Sequence, residues 1–549
     1  MSNNFTRSDS ALSAGEYFLD RIDRSGAQAA LIALSEYLSN APLAEWNACL
    51  DDVVRLADSA SARAWLLGAI SRWPAVAEFR YRLALILWND NEVDACERVL
   101  RDVLAIEPDH AEAVYLFAQL YRSQGKVNAA AVSLHAWCAR SMHNQTTLRG
   151  ALFVSQCQRQ DLALELCDRE ISRNPTNASA LALSANLALQ LGKFELARER
   201  ALCALKNKVS LNDWFVMQAL AHSQRYSDID HPDFELFNEF LCDSTLSDMA
   251  RAATLFARAK ALDDVGDYGH AAHNLRDAHE LATKFNPWSG VKWAQSIAAE
   301  ISSQRPVYDS PHANGAVPVF IVGLPRTGTT LISELLGRHH QVRNRGELSF
   351  LPFVAQMLSE SGRASDPAVL REGAEVYLAQ SKQDDTPAHF YVDKNPMNFR
   401  HLGLISTLFP NARIIHCKRN RRDTALSIWS QFFAHSDYGF AHTFTNIAAF
   451  AEGHDQLMQH WRKTLPMPIH TVDYEALLDR PKSTLDALYC FLGIASTEDA
   501  ISSLTRRAIT SASMWQARQP LYRRSLERWR SYAAFVPELV ENFPDHEGI

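Results

Sequence analysis

The sequence predicts a two-part chain: an all-α helical solenoid up to about residue 300, followed by an α/β domain with a central parallel sheet. Three observations support this. The first half is rich in Ala and Leu, has few strand signals, and repeats itself at a step of 34 residues. A Pro/Ser/Gly-rich stretch at 301–317 then interrupts the helical pattern. Beyond it, short apolar β-rich runs alternate with amphipathic helical segments, the pattern of strands joined by crossover helices. The expected boundaries are therefore 1–300 for the helical part, 301–317 for the linker and 318–549 for the α/β domain.

The repeat shows in its punctuation. Pro74, Pro108 and Pro175 are separated by 34 and 67 residues, and Gly125 and Gly192 each follow their Pro by 17. Small residues keep step, Ala84, Ala118 and Ala185 in first helices and Ala130 and Ala197 in second ones, with Tyr121 and Phe194 as aromatics near the turns. The copy at about 142–174 is degenerate, with Met142 in the Pro position, and a further pair is suggested around 255–281 with Gly266 at its turn. A 34-residue helix-turn-helix with small residues where helices cross resembles the tetratricopeptide repeat (TPR). That resemblance implies a concave face for a polypeptide acceptor or partner protein, or for self-association as a homodimer.

The α/β domain opens on its most informative segment. The run Val319-Phe320-Ile321-Val322 breaks at Gly323-Leu324-Pro325, and Arg326-Thr327-Gly328-Thr329-Thr330 leads straight into a helix with Leu331, Ile332, Leu335 and Leu336. Strand, tight turn and helix N-terminus make a phosphate cradle, because backbone N–H groups and the positive end of the helix dipole face the anion. Gly323 and Gly328 fit the Walker A spacing, but Thr329 stands where the nucleotide-triphosphate Lys belongs. The loop therefore points to a P-loop-like site for a different phosphorylated donor. A second strand, from Arg413 to Cys417, runs into a turn carrying Lys418, Arg419, Arg421 and Arg422, with Ser427 on the next helix eight residues after Arg419. A guanidinium fork plus a helix-borne hydroxyl at this spacing suits a terminal phosphate; a solvated basic edge is the plain alternative.

Together these two blocks resemble the sulfotransferases that use 3′-phosphoadenosine 5′-phosphosulfate (PAPS), over about residues 316–535. The resemblance implies that Arg326, Thr327, Gly328, Thr329 and Thr330 hold the 5′-phosphosulfate, and that Arg419 and Ser427 hold the 3′-phosphate. The likeness is greatest to the tyrosylprotein sulfotransferases. It makes Glu347, 21 residues after Arg326, the catalytic base, and Lys394, in Asp393-Lys394-Asn395-Pro396, a catalytic cation. Ser513, Gln516, Pro520 and Trp529 reproduce a late family pattern that makes Ser513 catalytic, and Tyr474 matches the adenine-packing tyrosine. The basic, aromatic segment 515–530 adds Arg518 or Arg528 as a reach to the nucleotide phosphates. The chemistry suits these side chains. A phenol has a pKa of about 10 and gains from a base during attack, while fixed cations stabilise the sulfuryl and leaving-phosphate oxygens. Arg326, Lys394 and Ser513 take that role, and no metal is expected, since no Cys/His or carboxylate cluster has ligand spacing.

Two departures bear on the acceptor. A second Arg of the relatives' 3′-phosphate site is Gln431 here, and Leu348-Ser349-Phe350-Leu351 replaces the basic residues with which they hold acidic peptides. The leading expectation is transfer to a protein tyrosine. The alternatives are transfer to a small phenol, alcohol or glycan, a P-loop kinase or NTPase, or an inactive TPR scaffold.

Composition sets the remaining bounds. The 549 residues are 47% hydrophobic, enough for at least two cores. A net charge of −8 gives no reason to expect nucleic acid. The nine Cys are scattered and never spaced C-x-x-C, the pattern of reduced, buried thiols in a cytosolic protein. The N-terminus lacks an apolar signal core, and no apolar run approaches the length of a membrane span. A soluble, cytoplasmic protein with no membrane contact is expected.

Overall fold

The computed structural model describes residues 13–140, 144–303, 315–360, 362, 365–496 and 525–544. The chain forms two compact units, Met1–Arg122 and Ser123–Ile549. The first is helical, with Phe18, Leu34, Leu50, Trp65 and Phe79 in its core.

The helices that open each 34-residue copy are Ala77–Asn89, Ala111–Ser123, Asn144–Gln156 and Ala178–Gln190, each followed after a short turn by a second helix. Each turn contains one residue in the left-handed region: Asn91 (φ 59°), Gly125 (76°), Gln158 (61°) and Gly192 (73°). Glycine enters that region without steric cost, so Gly125 and Gly192 are the residues a tight turn favours. Met142 of the degenerate copy lies outside the described residues, yet that copy forms an ordinary pair, closed by the helix Gln160–Arg173. The later pair, Asp248–Val265 and Tyr268–Phe285, turns at Gly266 (φ 88°) as its glycine anticipates.

Five parallel strands follow: β1 Val317–Gly323, β2 Val342–Asn344, β3 Phe390–Asp393, β4 Arg413–Lys418 and β5 Ile469–Asp473, in the order β2-β3-β1-β4-β5. The Val-Phe-Ile-Val run of β1 is buried on both faces, as a central parallel strand must be. Alternation sends Val319 and Ile321 to a core with Ile332, Ile415 and Leu488. Phe320 and Val322 face a second core with Tyr377, Phe409 and Trp429, which continues into the helices through Phe256 and Trp293. Trp293 Nε1 donates to Ala449 O at 3.2 Å, and a Cβ on Gly453 would lie 2.4 Å from that same nitrogen. His279 bonds Trp429 O at 2.7 Å and His442 at 3.1 Å. The chain runs from β1 to one side of the sheet and from β3 crosses to the other. A topological switch point, where open α/β sheets bind ligands, therefore lies between β1 and β4.

Residues 304–314 of the expected linker lie outside the described residues. The thiols depart from expectation at three positions: all nine are free, but Cys203 is only partly buried and Cys242 and Cys490 are exposed. Cys242 sits just beyond the short helix Asp233–Leu241, and Cys490 is on an outward-facing turn of the helix Pro481–Leu492. Among the described residues, no helix is long and apolar enough to cross a membrane.

Candidate active site

The loop after β1 is shaped by residues that tolerate unusual backbone. A Cβ on Gly323 would lie 2.5 Å from Cys417 O, so glycine alone lets the ends of β1 and β4 approach this closely. Arg326 (φ 72°) and Gly328 (φ 91°) are both left-handed and flank Thr327, whose hydroxyl donates to Leu324 O at 2.7 Å. Alternating hand turns successive N–H groups toward one point, and the helix Thr329–Leu336 begins there with Thr329 and Thr330 buried. A Cβ on Gly328 would meet Tyr474 Cδ2 at 2.4 Å, so the predicted adenine-packing ring lies directly against the loop.

The turn after β4 meets this loop at the switch point. Asn420 caps the helix Arg421–Trp429 by accepting from Asp423 N at 3.1 Å, which fixes Ser427 on its second turn. Ser427 Oγ accepts from Arg326 Nε at 3.0 Å. Arg419 donates to Arg326 O at 3.0 Å and to Ser525 O at 2.6 Å, and its guanidinium stacks over the Tyr474 ring at 4.9 Å. Among the described residues Arg419 Nε is buried without a hydrogen-bond partner, and burial pushes the guanidinium below its ordinary pKa. A desolvated cation with an unused donor is the arrangement an anionic ligand satisfies. Two other cations of the turn have structural partners: Arg421 pairs with Asp455, and Arg422 donates to Phe543 O at 2.7 Å while stacking on Trp529 at 4.4 Å; Lys418 is exposed.

Glu347 and Lys394 also come together. Lys394 Nζ is ion-paired with Glu347 Oε1; the Lys394 side chain is 5% exposed and that of Glu347 42%. Backbone bonds set this pairing, with Arg345 N donating to Val392 O at 2.9 Å and Lys394 N to Gly346 O at 2.7 Å. Asp393 lies beneath. Its carboxyl accepts from Leu348 N at 3.3 Å, Tyr377 OH at 3.0 Å and Asn398 Nδ2 at 3.0 Å. Burial, reinforced by the nearby Glu347 charge, pushes Asp393 up to about 7 despite these donors.

Of the remaining predicted residues, Ser513 and Arg518 lie outside the described residues, as do Gln516 and Pro520. Arg528 donates to Asp263 Oδ1 at 2.7 Å, an oxygen that also accepts from Tyr532 OH at 2.7 Å. The segment carrying them is anchored a second time, because Glu527 N and Trp529 N both donate to Asp423, at 2.7 and 3.0 Å. Sequence reasoning missed Asp393, Arg345 and His222. A lone acid ending the apolar run Phe390-Tyr391-Val392 was the available signal for the first. His222 gave none: burial, then the Lys260 and Arg326 charges, push it down to about 3.

Comparison with known proteins defines the class. Residues 318–499 match the model of the sulfotransferase family, so the C-terminal part of this chain is a sulfotransferase-family domain. Among curated proteins, the chain is 28% identical over 400 residues to an uncharacterized protein of Aquifex aeolicus (strain VF5), covering 69% of this chain and 52% of that one. It is 30% identical over 193 residues to protein-tyrosine sulfotransferase 1 of Danio rerio, covering 32% of this chain and 53% of that one. The chain thus spans about half the length of the curated relatives it matches. Among solved structures, it aligns with the sulfotransferase domain from the Synechococcus PCC 7002 olefin synthase at a TM-score of 0.32 and 20% identity, covering 44% of this chain and 99% of that one.

Proposed function

We propose that this protein is a PAPS-dependent sulfotransferase that moves a sulfuryl group to an acceptor hydroxyl. The observation that carries the reading is the meeting of the two segments, where Arg326 bonds Ser427 beside Arg419 Nε, which has no partner among the described residues. The residues present fit the donor: a glycine-shaped loop, a half-buried cation whose buried Nε–H is unused among the described residues, and an aromatic ring against both. When bound, PAPS supplies the sulfuryl group and departs as 3′,5′-ADP.

The chain's residues divide the remaining tasks. Arg326, Thr327, Gly328, Thr329 and Thr330 hold the 5′ end; Arg419 and Ser427 hold the 3′-phosphate, with Tyr474 against the base and Arg518 as a further phosphate contact, since Arg528 is taken up by Asp263. Glu347 accepts the acceptor's proton as its oxygen forms the bond to sulfur and the bond from sulfur to the leaving phosphate breaks. Lys394 orients Glu347 and, with Arg326 and Ser513, stabilises the oxygens that gain charge.

A protein tyrosine presented by the helical repeats is the acceptor we propose, supported by the named activity of the Danio rerio relative. One observation favours the alternative of a small neutral phenol. Arg345, the cation nearest Glu347 in sequence, is 4% exposed and committed to Asp385, leaving it unable to attract an acidic peptide. The unpaired cysteines support a reducing, cytoplasmic setting.

Calorimetry with 3′,5′-ADP and with ATP, with and without Mg²⁺, tests the reading. Metal-independent 3′,5′-ADP binding, weakened about ten- to a hundredfold in Arg419→Ala, is expected. Mg²⁺-dependent ATP binding without affinity for 3′,5′-ADP would overturn it in favour of a kinase-like protein.

A further inference from the structure

The left-handed position of the repeat turns is occupied by Asn91, Gly125 and Gly192 in three copies and by Gln158 in the fourth. A long side chain is disfavoured there, and such strain persists where the surroundings use the residue. Gln158 Nε2 donates to Arg345 O at 2.7 Å, two residues before the proposed base. The same stretch is held from the other side by the Lys394 N to Gly346 O bond of 2.7 Å.

A second set of contacts converges on Arg345. Its guanidinium makes a two-pronged pair with Asp385, at 2.6 and 2.7 Å, and donates to Ser381 O at 2.6 Å and Lys382 O at 2.8 Å. The neighbouring Asp384 caps the repeat helix Val127–Arg140, accepting from Asn128 N and Ala129 N at 2.7 Å each. Gln380 Nε2 donates to Ser123 O at 2.9 Å, and a Cβ on Gly125 would lie 2.2 Å from Ala379 O. Two consecutive aspartates therefore serve two masters, Asp384 the helical repeats and Asp385 the Arg345 side chain.

We propose that the helical repeats are a working part of the catalytic centre, with Gln158 as a positioning residue that holds the Arg345–Glu347 segment in register with Lys394. This rests on the reading of Glu347 as the base. A repeat region that served only to present a partner would have no need of a bond to this segment.

Gln158→Gly separates a positioning role from a merely structural one, because glycine relieves the turn while removing the side-chain donor. In full-length protein the melting temperature and the 3′,5′-ADP affinity should be unchanged or higher. The Arg345 and Leu348 amides should exchange with deuterium about tenfold faster, and sulfuryl transfer from labelled PAPS to a tyrosine peptide or 4-nitrophenol should fall about ten- to a hundredfold in kcat. Unchanged exchange at those amides, or unchanged kcat where Glu347→Gln abolishes transfer, would overturn the proposal and leave the base reading intact. Full transfer in Glu347→Gln would overturn the base reading and this proposal with it.

Discussion

Arg326 and Ser427, 101 residues apart in the chain, are joined by a hydrogen bond of 3.0 Å from guanidinium to hydroxyl. The bond ties the loop after β1 to the helix after β4, so neither of the segments proposed to bind phosphate is placed independently of the other. Ser427→Ala should weaken 3′,5′-ADP binding about tenfold, the worth of a charge-assisted bond. Isothermal calorimetry on folded protein checks it, and an unchanged affinity would mean that Ser427 is only a packing residue.

Gly328 admits no side chain for two separable reasons. Its φ of 91° costs any L-residue about 1–2 kcal/mol, and an added Cβ would press on the Tyr474 ring at 2.4 Å. Gly328→Ala should lower both the melting temperature and 3′,5′-ADP affinity. Combining it with Tyr474→Ala should restore part of the stability but none of the binding, since it relieves the collision and removes the ring.

The raised pKa of Asp393 makes stability depend on pH with a definite sign. Its folded value of about 7 exceeds the ordinary carboxyl value, so the folded state holds the proton more tightly than the unfolded state. The contribution is complete below about pH 4 and is lost as pH rises through 7, with a total on the order of 4 kcal/mol. Asp393→Asn should flatten this dependence. Melting temperatures of the two proteins should diverge between pH 5 and 8, the native protein falling more steeply; parallel curves would refute the assignment.

Two glycines of the helical region should respond differently to the same change. Gly266 (φ 88°) has nothing within 4 Å of an added Cβ, so Gly266→Ala should cost only about 1 kcal/mol of backbone strain. Gly125→Ala drives a methyl to within 2.2 Å of a backbone carbonyl on the helix Pro367–Lys382, which cannot rotate away. Denaturant unfolding should show a loss of roughly 2–4 kcal/mol for the second.

What the sequence made legible was local. The phosphate loop lies within Gly323 to Thr330, and the Arg419/Ser427 pair within one strand-turn-helix, so the chain's order already states their geometry. The repeat was legible because its glycines sit at turn positions that need a left-handed residue. Glu347 and Lys394 became candidates only through family resemblance; their pairing depends on the register of β2 with β3, which neither segment encodes alone. Asp393 as a near-neutral acid, Arg528 turned toward Asp263, and Gln158 on Arg345 were not legible. Each depends on long-range folding, with 265 residues separating Arg528 from Asp263 and 187 separating Gln158 from Arg345.

The segment 525–544 sets Ser525 on Arg419 and is itself fastened to Asp423 and to helices made much earlier, through Asp263 and through Arg276, which donates to Glu538 at 2.8 Å. Synthesis runs from the N-terminus and earlier parts of a chain fold first, so these anchors stand ready before the segment that seats on them is made. Arg419 therefore gains its Ser525 contact only after the helices that carry Asp263 and Arg276 have been made.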